Sequence, residues 1–313
     1  MPDVRIWRSL LFVPANNWKM LNKAAAEQED AVIIDLEDAC PMAEKEAGRA
    51  LARDISPLYK KQGIDVLVRI NSLQTKGLTA EDIKIIVREE LDGVMLAKTE
   101  TKQDIQEIEG LLAEAERVGK QKKKTVILPL LESPKGVQNA GEIAAASDRV
   151  AGLAFGAADF MREMGAGFAV TKMTPDEYAP FLAYPRSTIS VAAAASGILA
   201  IDTPFFGVLT DQERLEREAN TVRLMGFKGK LAIHPRQLET LNRVFSPSEE
   251  DVALSRRMID AYLKAEAEGK GAATLDGKMI DVAMYRMGME TVAKAEGIAA
   301  RAKAKKEESG QTS

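Results

Sequence analysis

The chain of 313 residues has one cysteine, Cys40, and one histidine, His234. A lone cysteine closes no internal disulfide, so a stapled secreted scaffold is excluded and a reducing, cytoplasmic setting is expected. A lone histidine without cysteine neighbours removes the usual zinc clusters. Long apolar runs are missing as well. The longest, 189–201, is broken by Ser and Gly and falls below the ~18 residues of a membrane span. Residues 1–14 carry Asp3, Arg5 and Arg8 among apolar side chains and lack a signal-peptide pattern, so no cleaved leader is expected. The net charge is only −4. Its basic clusters, 122–124 and 301–306, are local, which leaves no footprint for nucleic acid. The first strand-to-helix turn, "FVPANN", has no GxGxxG, so a dinucleotide fold has no fingerprint here.

What is present is a core-forming composition, 46% hydrophobic and 29% charged, enough for one large or two ordinary domains. Apolar runs at 9–14, 31–38, 65–71, 92–98 and 124–133 do not alternate as half-exposed antiparallel strands would; buried parallel strands fit them better. Further strands fit 150–155, 198–202 and 229–233. Between them Ile105, Ile108, Leu111, Leu112, Ala115 and Val118 form one helical stripe. Helix starts are marked by Thr101 with Asp104, Ser133-Pro134, Thr174-Pro175 with Glu177, Thr210 with Glu213, and Ser246-Pro247 with Glu249. Eight alternating units predict an α/β protein, a TIM (β/α)8 barrel over 1–245. Helices at 249–267 and 281–302, around the Gly-rich "EGKGAATLDGKM", form a C-terminal helical extension over 246–303, and 304–313 reads as a flexible tail.

In such a barrel the C-terminal strand ends form the catalytic mouth. Glu132 follows the fifth strand, Asp159 lies after the sixth, and Arg69 is near the end of the third. Two carboxylates facing one another favour a divalent cation, and an all-oxygen set suits Mg2+. Arg69 is suited to an anionic substrate or a developing oxyanion. Structural roles are open beside these. Glu132 could lie exposed next to the Ser133-Pro134 cap, Asp159 could cap its helix, and Arg69 could pair with Asp35 or Glu37. Lys45 and Arg49, four apart, could balance the acids Asp35, Glu37 and Asp38.

The ordered segments "RSLLFVPANNWKML", "DAVIIDLEDACPMAEKEAGR", "VRIN", "ILPLLESPKGV", "LAFGAADF", "AIHPRQL" and "DGKMID" cover nearly the whole chain. With them the sequence closely resembles the citrate lyase beta-subunit-like family of the HpcH/HpaI aldolase superfamily, which includes malyl-CoA and citramalyl-CoA lyases. The resemblance implies a TIM barrel, assembly as a homotrimer or homohexamer, and Mg2+ (Mn2+ as a substitute) held by Glu132 and Asp159. It implies Arg69 on the keto-acid and enolate oxygens, and a metal and water network from Asp35, Glu37 and Asp38. Lys19 is the implied contact to coenzyme A, which enters as part of the substrate, although Ala15-Asn16-Asn17 departs from the family's Gly-Asp/Arg pattern and a plain surface lysine fits as well. His234 is implied on the CoA-side wall or at a helix junction. Asp281 is the implied proton-transfer group, reaching a neighbouring subunit's site, with a helix cap as its structural alternative. The activity implied is Mg2+-dependent cleavage of a malyl-CoA or citramalyl-CoA type thioester to an acyl-CoA and a 2-oxo acid. The alternatives are a citrate lyase beta subunit acting on a citryl-acyl-carrier thioester, or a malyl-CoA thioesterase or malate synthase activity.

Overall fold

The computed structural model describes residues 5–75, 77–166 and 173–308. Eight strands, β1 (Ser9–Pro14), β2 (Ala31–Asp35), β3 (Asp65–Ile70), β4 (Gly93–Leu96), β5 (Val126–Leu131), β6 (Gly152–Phe155), β7 (Leu199–Asp202) and β8 (Gly229–Ala232), pair in chain order. All neighbours are parallel, and β8 returns to β1 with Leu10 opposite Leu231 and Leu11 opposite Ala232, so the barrel is closed. This is the TIM-barrel fold with a helical extension that the sequence predicts.

The absence of alternation follows from burial on both faces. Leu10, Ile33, Leu67, Met95, Leu128, Ala154, Ile201 and Leu231 pack inside the barrel. Their neighbours Leu11, Val32, Ile34, Val66, Val68 and Val94 belong to the layer between strands and helices. Both sets leave water, so each strand reads as a continuous apolar run.

Helices cover the outside. Helix Lys102–Gly119 starts at Thr101, with the full capping box to Asp104. It buries Ile105, Ile108 and Leu112 completely, while Val118, in its last turn, is 67% exposed beyond the sheet. Ser133 and Thr174 head their helices as expected. Two starts shift. Asp211, one residue after Thr210, caps helix Gln212–Leu224 through Arg214 N–H. Ser248 rather than Ser246 caps helix Glu249–Ala267, because Asp251 stands three residues on and completes a capping box. Between β7, β8 and two helices lies a buried charge quartet: Lys230 Nζ donates to Asp202 (2.5 Å) and Glu218 (2.7 Å), and Arg186 to the same two carboxylates.

The chain divides into two compact units, Trp7–Phe245 and a second one of residues 246–313 with the N-terminal stretch up to Ile6. Within the second, Tyr262 of helix Glu249–Ala267 stacks on Tyr285 of helix Val282–Glu308 at 4.8 Å. The Gly-rich link between these helices is a hairpin, β9 (Ala273–Leu275) and β10 (Lys278–Ile280). Asp276 and Gly277 both take positive φ (52° and 76°) in its turn, the hairpin chemistry of an Asp-Gly pair. The last helix continues through residue 304 to Glu308, and 309–313 of the expected tail lie outside the described residues.

Candidate active site

Strands β2, β4 and β5 stop two or three residues before their apolar runs do, and leave charged residues beyond the ladder. β2 ends at Asp35, leaving Glu37 and Asp38 in the next loop; β4 ends at Leu96, leaving Lys98; β5 ends at Leu131, leaving Glu132. All lie at the C-terminal mouth.

Arg69, five residues into β3, is tied to Asp35, its register partner on β2. Its Nε donates to Oδ1 at 2.8 Å and its Nη2 to Oδ2 at 2.5 Å. The ion pair open in the sequence is therefore real, yet it uses only one edge of the guanidinium. Nη1 lies 3.2 Å from Glu37 Oε2 and 3.9 Å from Asp38, and the plane sits 5.0 Å over the Phe12 ring. Burial works against its charge, but Asp35, Glu37 and Asp38 outweigh that and hold it above the ordinary arginine range.

Glu132 is 4% exposed, not a surface neighbour of the cap; Ser133 alone caps, through Gly136 N–H. Glu132 Oε1 accepts the backbone N–H of Lys98 at 2.7 Å. Its other oxygen faces Gly156, where a Cβ would stand 2.5 Å from Glu132 Cβ and 2.8 Å from Oε2. Only glycine at 156 lets the carboxylate lie there. Burial pushes the Glu132 carboxyl up to about 7; Lys98 N–H and Arg69 oppose this, and the charges of Glu37 and Asp159 reinforce it. Asp159, in the first turn of helix Ala157–Glu163, is partly exposed and accepts from Arg162 Nε at 3.1 Å.

Lys98, which sequence reasoning missed, joins the acids. Its Nζ donates to Glu37 Oε1, and its backbone holds φ +53°. The visible signal was a lysine ending the apolar run "DGVMLAK". Glu37 Oε2 is buried and accepts no hydrogen bond, and burial raises its carboxyl above the ordinary value. Lys45 does not neutralise the acids directly. Its Nζ donates to the carbonyls of Leu36 and Glu37 and to Asn71 Oδ1, at 2.5, 2.7 and 2.8 Å, fixing the loop that carries them. Arg49 turns the other way, to Asp82 (2.6 Å) and Glu81 (3.0 Å), because Asp82 is fully buried and needs a cation.

These acids suit a divalent cation. Glu132 is a carboxylate whose negative form is disfavoured by its surroundings, and Glu37 Oε2 is a buried acceptor without a hydrogen bond. Among the described residues no three His, Cys, Asp or Glu gather into a ready cluster. Two carboxylates completed by water and substrate is, however, the usual arrangement for Mg2+. Lys19 is exposed on helix Trp18–Ala24. His234, after β8, accepts Arg236 N–H on Nδ1 at 3.1 Å and so heads the 3-10 turn Pro235–Gln237. Asp281 belongs to the second unit, where its carboxylate accepts Met284 N–H at 2.9 Å as a helix cap.

Residues 8–235 match the family model for HpcH/HpaI aldolase/citrate lyase. The citrate lyase subunit beta of Haemophilus influenzae is 37% identical over 89% of this chain and 93% of its own length. A (3S)-malyl-CoA thioesterase of Cereibacter sphaeroides is 33% identical over 94% and 96%. Among solved structures, the CitE protein of Mycobacterium tuberculosis in complex with magnesium, acetoacetate and coenzyme A superposes with a TM-score of 0.71 at 30% identity, over 92% of this chain and 97% of that one. A family model spanning most of the barrel, with such relatives along nearly the full length, makes the chain a member of the HpcH/HpaI aldolase/citrate lyase family and an enzyme of its carbon–carbon lyase kind.

Proposed function

We propose that the chain cleaves a 3-hydroxyacyl thioester of the citryl type into an acetyl thioester and a 2-oxo acid, the reaction of a citrate lyase beta subunit. Citrate lyase beta subunits at 35–37% identity support this over the malyl-CoA or citramalyl-CoA lyase that the motifs alone favour. The observation that carries the chemistry is the buried Glu132, set beside Asp159 and Arg69 at the strand ends.

Glu132 and Asp159 would hold Mg2+, which when bound supplies Lewis acidity to the oxygens of the 2-oxo acid. Arg69, locked to Asp35 on one edge, offers Nη1 to the same anion without changing protonation. In cleavage the C3 hydroxyl gives up its proton to solvent water and the C2–C3 bond breaks. Its electron pair becomes a thioester enolate, C3 becomes the keto carbon, and a proton delivered to C2 completes the acetyl thioester. Asp281 of a neighbouring chain is our assignment for that proton, after release from its helix cap. Asp35, Glu37 and Asp38 would order the waters of a bound metal. Lys19 and the CoA-side His234 would meet a phosphate-bearing carrier arm. We assign a homotrimer or homohexamer by family resemblance, with the exposed apolar side chains Phe181, Tyr184 and Val191 on helix Pro175–Ala195 as the proposed contact face.

A second reading, malyl-CoA thioesterase, is favoured by the full-length likeness to the Cereibacter enzymes. The deciding experiment incubates the Mg2+-loaded protein with citryl-CoA, a citryl-acyl-carrier thioester, (3S)-malyl-CoA and citramalyl-CoA. A 2-oxo acid with an acyl thioester is expected from a citryl substrate; free malate with free thiol would establish the thioesterase instead.

A further inference from the structure

Lys98 touches two buried acids of the site, Glu132 and Glu37, through two different groups. Its backbone N–H orients Glu132, and its ammonium holds Glu37. The backbone is bent to allow this. At φ +53° Lys98 adopts a conformation that L residues avoid. Its neighbour Thr99 locks the bend, the N–H returning to Leu130 O at 3.2 Å and the hydroxyl to Leu96 O at 2.9 Å. Glu37 is pinned from the other side too. Its N–H donates to Asp35 Oδ1 at 2.9 Å, its carbonyl accepts Lys45 Nζ, and Arg69 Nη1 lies 3.2 Å from Oε2.

The geometry points to Lys98 as a positioning residue: by holding Glu37 away from the divalent cation, it limits that cation to two protein carboxylates and keeps its other positions for water and substrate. The inference rests on the metal reading of Glu132 and Asp159 proposed above. The physical reason is charge. A cation between Glu132 and Asp159 attracts any further carboxylate near enough to feel them, and Glu37 is linked to Glu132 through a single residue, Lys98, which donates to both. Each added carboxylate tightens a divalent site and displaces a water. A bidentate 2-oxo acid needs two such positions, so a third carboxylate would trade turnover for metal affinity. Lys98 offers Glu37 a competing cation that never leaves with product.

Mn2+ is the probe, read by its binding constant and by proton relaxation of its bound water, with oxaloacetate binding followed on the Mn2+-loaded protein. Lys98→Met is expected to bind Mn2+ about tenfold or more tighter, with fewer bound waters and weaker oxaloacetate binding. Lys98→Gly removes the ammonium while relieving the bent backbone, so it should fold and behave alike. Lys98→Arg should restore wild-type values. The double variant Lys98→Met with Glu37→Gln should lose the extra affinity, because the intruding carboxylate is gone. Wild-type affinity and water count in folded Lys98→Gly, or a double variant as tight as the single, would overturn the tether. If wild-type protein bound no Mn2+, or Glu132→Gln bound it unchanged, the metal reading itself would fall, and the tether with it.

Discussion

A buried carboxyl held near pH 7 makes Glu132 the most informative single residue. Its folded-state value lies above the ordinary 4.5. Its contribution to stability is therefore fully present below about pH 4.5 and lost as pH rises through about 7 in the metal-free protein. Denaturant titrations at pH 5 and pH 8 should show this loss in wild-type protein and a smaller one in Glu132→Gln, which has no proton to release. Mg2+ reverses the sense. The cation competes with the proton, so its affinity should climb with pH up to about 7 and then level off, as calorimetry can follow. Glu132→Gln should lose Mg2+ binding and at least about 100-fold in turnover, while its far-ultraviolet dichroism is unchanged. Equal Mg2+ affinity in the two proteins would remove Glu132 from the site.

At the scale of strands and loops, the mouth depends on how closely two strand ends approach. Gly156→Ala puts a methyl into Glu132, which must move by several tenths of an ångström or more. We expect a loss of ~1–3 kcal/mol in stability and weakened Mg2+ binding, whereas Gly110→Ala, with open space around it, serves as the control. On the opposite side of the barrel wall, Lys230→Ala leaves Asp202 and Glu218 sharing Arg186 alone. Breaking one partner from such a buried set costs about 3–5 kcal/mol, measurable by urea denaturation at neutral pH. Much of this scale was legible in the sequence, since the eight apolar runs and three of the five helix starts follow from local patterns. What was not legible is contact between distant loops. Nothing local tells that Lys98 meets Glu37, that Arg49 prefers Asp82, or that Gly156 must be small because Glu132 lies over it. The hairpin turn at Asp276-Gly277 carried a local signal, obscured by the glycines around it.

For the whole molecule, the two units raise the question of which one completes which site. Arg69 belongs to the barrel and Asp281 to the second unit, so variants in each separate their contributions. Arg69→Lys keeps charge but loses the planar fork that grips Asp35, and Asp281→Asn keeps the cap geometry without a basic carboxylate. Each pure variant should be poor in cleavage, by at least about tenfold. Mixed oligomers, with mixing verified by mass spectrometry, should regain part of the activity if Asp281 serves a neighbouring chain. No recovery after verified mixing would confine the proton transfer to one chain or to another group.

The closure of the barrel also governs how the protein comes off the ribosome. β1 finds its last partner only when β8 has been made, since Ser9 pairs with Lys230. At about 5–20 residues per second, the first strand waits roughly 10–45 seconds with one flank unpaired. During that interval the nascent chain exposes two open strand edges, one at β1 and one at the newest strand, both lined with Leu, Ile and Val. Such edges are templates for intermolecular pairing. Crowded polysomes should therefore make this chain a client for holdase chaperones, and any stop codon before β8 should yield an aggregate rather than a smaller soluble domain.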